Sequence, residues 1–157
     1  VGPLPFQLTS DGIEAVFHTN HMGNFLLCKS LTPLLKKTSE KHGESRVVVL
    51  SSSAHYNARG VPLTEEEMNG GHKDTASHLA SCYMVSKLAN LLFAQELSDR
   101  LAGTRVIVNA AHPGLVASNF ATHTVDQTAD LLAAVPVVGR ALAPAARAAL
   151  GAVRAGG

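Results

Sequence analysis

Two short apolar runs, Arg46-Val47-Val48-Val49-Leu50 and Arg105-Val106-Ile107-Val108-Asn109-Ala110, constrain this chain more than any other feature. Consecutive β-branched residues suit strands apolar on both faces, the kind found in parallel sheets with helices on either side. Between them lies Ala80 to Ala94, where Lys87 is the only charge. That stretch reads as a helix from residues 75–77 to about Leu101, with Gly103 as its stop signal. A strand, helix, strand order predicts a right-handed crossover with parallel strands. Ligands of such sheets bind at the carboxyl ends of the strands, where the crossover helix also begins. Ser51-Ser52-Ser53 follows the first strand, His112-Pro113-Gly114 follows the second, and Tyr83 and Lys87 stand in the early turns of the helix. The topology therefore gathers them on one rim.

Upstream, Ser10 and Asp11 read as a helix cap with Glu14 in the first turn complementing the dipole. The helix should run from Gly12 to about Lys41, with Pro33 kinking or dividing it. Asn20 and Gly23 are poor helix formers in its interior. The asparagine is either a solvent-facing accident or a polar group kept for use; the glycine suggests close approach of another backbone. Residues 54–76 form a long polar connection with an acidic patch at Glu65, Glu66 and Glu67, a length usually functional or mobile. Residues 126–157 are an Ala-rich segment, open to a packed helix, a lid or a poorly ordered tail.

The 157 residues suffice for one domain, and 46% hydrophobic against 16% charged residues argues against disorder. A net charge of +1 offers no footprint for nucleic acid. Cys28 and Cys82 form no Cys-x-x-Cys pattern and read as reduced thiols of a cytoplasmic protein. No apolar run reaches the length of a membrane span. His18 and His21 without further ligands make a weak metal site, and no Gly-x-Ser-x-Gly turn presents a serine nucleophile.

Tyr83 and Lys87, four apart, share one helix face. A cation there favours phenolate, which would suit acid/base chemistry, although such pairs also arise by chance with the lysine stem reaching to water.

Together, Thr9-Ser10-Asp11-Gly12-Ile13-Glu14, Asn20-His21-Met22-Gly23-Asn24-Phe25-Leu26-Leu27, Tyr83 through Asn90 and His112-Pro113-Gly114 resemble the short-chain dehydrogenase/reductase family. The wording is similar to its retinol dehydrogenase and WW-domain oxidoreductase branch, from about Phe6 to Phe120. The resemblance implies an α/β fold, a partial Rossmann-like doubly wound parallel sheet, with residues 1–125 as its catalytic half. It implies an NAD(P)-dependent alcohol/carbonyl oxidoreductase acting on a small molecule.

Carried over by position, Tyr83 is the general acid/base and Lys87 lowers its pKa and binds the nicotinamide ribose. Ser52 holds the substrate oxygen, with Ser51 or Ser53 as competing assignments, and Asn20 holds a water in a relay toward Lys87. Pro113, Gly114, Val116 and Ser118 adjoin the NAD or NADP cofactor, Ser118 standing where the family more often has threonine. The family's glycine-rich phosphate turn is expected upstream, and no Gly-x-x-x-Gly-x-Gly occurs in these residues. The alternative is therefore a truncated, non-catalytic remnant or interaction module. The family dimerises through the helices holding Asn20 and Tyr83, which implies a homodimer.

Overall fold

The computed structural model describes residues 2, 5–58, 64, 66, 69 and 76–114. Both expected strands are present: β1 spans Ser45–Leu50 and β2 spans Val106–Ala111. They pair in parallel, with Ser45 opposite Val106 and Leu50 opposite Ala111. The crossover helix, here α3, spans Ala76–Arg100. Its last turn closes through Leu101 N–H to the Leu97 carbonyl, and Gly103 takes φ 81°, a conformation that favours glycine.

The long upstream helix is three elements in succession. A short α1 covers Ala15–Phe17, a π-helical turn covers His18–Met22, and α2 covers Gly23–His42. Pro33 lies inside α2 without dividing it; the interruption comes earlier, at the turn holding Asn20. The cap also differs from expectation. Glu14, not Ser10 or Asp11, is the capping residue, its two carboxylate oxygens accepting from Val16 N–H (2.9 Å) and Phe17 N–H (2.8 Å). A fully buried carboxylate can hold this position because two amide donors at a helix amino terminus satisfy it. Gly23 is not approached by another backbone, since a Cβ there would meet only the His18 carbonyl within its own helix, at 3.8 Å. Asn20 is buried, 4% exposed, rather than solvent-facing.

The main apolar cluster joins Val47, Val49 and Val106 of the sheet to Ala94, Leu97 and Leu101, with Cys28 and Leu35 of α2 packed against it. Both long helices thus cover the same sheet face. The expectation of cover on both faces is not met among the described residues: Val48 is 58% exposed, Leu50 57% and Ile107 40%. Alternation along a strand sends these side chains opposite to Val47 and Val49. The long connection opens as a 3-10 helix, Ser53–Ala58, whose Ala58 packs on Val85 of α3. Most of the remaining connection, like the Ala-rich segment 126–157, lies outside the described residues. Among the described residues, no helix is long and apolar enough to cross a membrane. The architecture is α/β, a partial Rossmann-like unit.

Candidate active site

Three elements meet where β1 ends. Ser51, 7% exposed, donates its hydroxyl to the Lys87 carbonyl at 2.8 Å and its backbone N–H to the Ala111 carbonyl at 2.9 Å. These bonds fix the end of β1 against both α3 and the end of β2. Ser52 is half-buried, and its Oγ accepts from Ala54 N–H at 3.2 Å. Its carbonyl accepts from His55 Nδ1 at 2.6 Å. One acceptor site of the Ser52 hydroxyl is engaged by the backbone, and among the described residues its hydrogen is given to no protein acceptor. Ser51 has committed its hydrogen to the fold, and Ser53 is exposed on the 3-10 helix.

On α3, Lys87 Nζ lies over the Tyr83 ring, 5.6 Å from its centroid. The helical spacing that puts both residues on one face produces this contact. Both are half-buried, and among the described residues no carboxylate pairs with Lys87. Burial lowers the Lys87 pKa, because desolvation penalises the ammonium. The phenol makes no hydrogen bond to Ser52 or Lys87; the two side chains meet as charge over ring.

Beside this pair runs a second stripe. Cys82, Ser86 and Asn90 follow one another at helical spacing and are 2%, 0% and 2% exposed. Asn20 donates its side-chain amide to Ser86 Oγ at 3.1 Å, and Ser86 donates to the Tyr83 carbonyl at 2.7 Å. The Asn20 carbonyl accepts from Asn24 Nδ2 at 2.9 Å and Asn90 Nδ2 at 3.1 Å. The Cys82 thiol is pushed up to about 12, first by desolvation and then by the Glu14 charge and a hydrogen bond with that carboxylate. A thiol so placed is inert packing.

Asn20, Ser52, Tyr83 and Lys87 therefore stand on three elements joined at one end of the sheet. Pro113 and Gly114 follow β2 at that same end, exposed, with Gly114 at φ 76°. Val116 and Ser118 lie outside the described residues. Ser86 and Asn90 take part in the site's scaffold without having been assigned a role from sequence. Their spacing, four apart in an apolar helix, was the available signal. Among the described residues no group of His, Cys, Asp or Glu could hold a metal ion.

A separate open groove of ≈ 660 Å³ lies between the π-turn region and α3, lined by Phe17, His21, Phe25, Leu92 and Phe93 among others. None of Asn20, Ser52, Tyr83 and Lys87 lines it. Its aromatic side chains pack together, Phe25 and Phe93 edge-on with centroids 5.3 Å apart.

No family model and no solved structure matches the chain. Among curated proteins it is 40% identical over 119 residues to retinol dehydrogenase 14 of Mus musculus, covering 76% of this chain and 33% of that one. It is 38% identical over 123 residues to the chloroplastic short-chain dehydrogenase TIC 32 A of Brassica napus, covering 76% and 38%. Retinol dehydrogenase 12 of Bos taurus is 39% identical over 120 residues, covering 76% and 35%. The chain spans about a third of the length of these curated relatives. With this sequence likeness and a parallel α/β unit that carries Tyr83 and Lys87 on its crossover helix, the chain belongs to the short-chain dehydrogenase/reductase family.

Proposed function

We propose that this chain supplies the catalytic residues of an NAD(P)-dependent oxidoreductase that interconverts a small-molecule alcohol and its carbonyl compound. The observation that carries the reading is the half-buried Lys87 ammonium over the Tyr83 ring, with no carboxylate paired to it among the described residues. The pair sets a phenol and an ammonium side by side on one helix face, an arrangement suited to acid/base chemistry at Tyr83. Tyr83 then gives a proton to the carbonyl oxygen, or takes one from the alcohol in the reverse direction. Ser52 donates its free hydrogen to the same oxygen and orients it. Asn20 holds a water through which protons reach Lys87.

The residues fit a nicotinamide nucleotide, NAD or NADP: the Lys87 ammonium can donate to a ribose hydroxyl, and the exposed Gly114 turn offers its backbone at the same end of the sheet. Pro113, Gly114, Val116 and Ser118 would help to hold it. Bound there, the nucleotide supplies or accepts hydride. The relatives' names make retinol a first substrate to assay. In the full-length protein, Tyr83→Phe should lower turnover by about 10²–10⁴-fold with the fold intact; an unchanged rate would overturn the assignment.

The aromatic groove supports a homodimer, because it opens between the two helices expected to pair, with Leu92 47% and Phe25 38% exposed. A monomeric mass for the folded protein would count against it. The competing reading, a non-catalytic interaction module, rests on the lack of Gly-x-x-x-Gly-x-Gly within these residues. Turnover by the 157 residues alone with NADH or NADPH would end it.

A further inference from the structure

The proposed chemistry needs three elements in fixed relation: the π-helical turn with Asn20, the end of β1 leading to Ser52, and α3 with Tyr83 and Lys87. Asn90 touches all three. It sits on α3, 2% exposed, and its side-chain nitrogen donates to the Asn20 carbonyl at 3.1 Å and the Leu50 carbonyl at 3.0 Å. Both amide hydrogens are then committed, which turns Oδ1 toward His21 Nδ1 at 3.0 Å. An amide oxygen can only accept, so His21 carries its hydrogen on Nδ1. His21 is two-sided, bonded to Asn90 here and packed against Phe17, Phe25 and Phe93 in the groove.

We propose that Asn90 is the positioning residue of this site, a carboxamide clamp that sets the π-helical turn and the end of β1 against α3. The inference rests on the oxidoreductase reading above and adds to it a residue that touches neither substrate nor cofactor. A π turn is wider than an α turn and is easily lost to the regular helix. The Asn90 bond to the Asn20 carbonyl opposes that loss, because an α-helical register would rotate the carbonyl out of reach. The bond to Leu50 holds the residue two before Ser52. A displacement of about 1 Å at either partner is enough to cost on the order of 10²-fold in rate.

The test uses the purified full-length protein, with retinol and NAD or NADP as probes and Tyr83→Phe as the reference variant. Asn90→Leu should lower kcat by about 10–100-fold while KM moves less than about threefold, the signature of lost geometry rather than lost binding. Amide hydrogen exchange should quicken by about tenfold within residues 18–24 and 50–54, and stay unchanged near Leu97. Asn90→Asp separates the clamp from simple packing. A buried carboxyl facing two carbonyls has a raised pKa, and only its protonated form can donate to one of them. Its turnover relative to the parent should therefore recover as pH falls.

Unchanged exchange in both segments with kcat within threefold of the parent would overturn the proposal. So would exchange raised throughout the fold with no acid recovery, which marks a structural role alone. Full turnover by Tyr83→Phe would instead remove the catalytic reading, and the segment-specific exchange would still decide whether the clamp exists.

Discussion

The inward stripes at the two ends of α3 are both buried and chemically opposite. Toward its amino-terminal half the inward stripe is Cys82, Ser86 and Asn90; toward its end it is Ala94 and Leu97, continued by Leu101. The apolar half stabilises by area, each leucine contributing about 1.5–3 kcal/mol on burial. The polar half gains far less, about 0.5–1.5 kcal/mol per hydrogen bond, and loses more when one partner is removed. Among the described residues no buried side-chain nitrogen or oxygen lacks a partner. One half thus supplies stability, and the other ties α3 by hydrogen bonds to the π-helical turn and the end of β1.

That division can be broken experimentally, beginning at the reactive end. Ser52→Ala should reduce turnover by about 10²-fold or more while leaving the denaturation midpoint nearly unchanged, since its hydroxyl bonds only a local backbone N–H. Equal losses in rate and stability would show that the two halves are not distinct. Leu101→Ala, at 3% exposure, should do the reverse, costing about 2–5 kcal/mol in denaturant unfolding with normal turnover per folded molecule. Glu14→Gln keeps the shape of the cap but removes its charge, and should cost about 1–2 kcal/mol by the same measurement.

Smaller effects come from pH. Burial lowers the Lys87 pKa below its ordinary 10.5, so the unfolded chain binds that proton more readily. Its contribution to stability therefore rises as pH climbs from the lowered value toward 10.5, and Lys87→Met should remove that rise. Cys82 acts in the opposite sense. Its folded pKa of about 12 against 9.0 unfolded means that the native state keeps the proton longer, and stability falls as pH rises from 9.0 to about 12. Cys82→Ala should abolish the fall; urea midpoints across this window separate the two. At pH 8, iodoacetamide should label half-buried Cys28 well before Cys82 in the folded protein. Faster labelling of Cys82 would show the polar stripe to be open rather than packed.

The legible parts were those governed by local pattern. Continuous β-branched residues marked β1 and β2, and the apolar stretch around Tyr83 marked α3, within a residue or two at the ends compared. The cap was misread because Ser10 and Asp11 are the usual cap residues, whereas burial and the Asn69 side chain, which accepts from Glu14 N–H at 2.9 Å, favoured Glu14. Pro33 is expected to kink or divide the helix, yet α2 runs through it undivided, and the interruption falls at Asn20, where hydrogen bonds from α3 support a wider turn. No local propensity encodes a turn held by a partner seventy residues away.

The sequence by itself determined the element order, the parallel crossover, and that Tyr83 and Lys87 would share a helix face, because periodicity and short-range sterics act between near neighbours. Only the tertiary structure decided which serine spends its hydrogen on the fold, which sheet face the helices cover, and that Ser86 and Asn90 join the π-helical turn to α3. Those outcomes depend on buried donors finding acceptors across long sequence separations, and each exists only once the elements have packed.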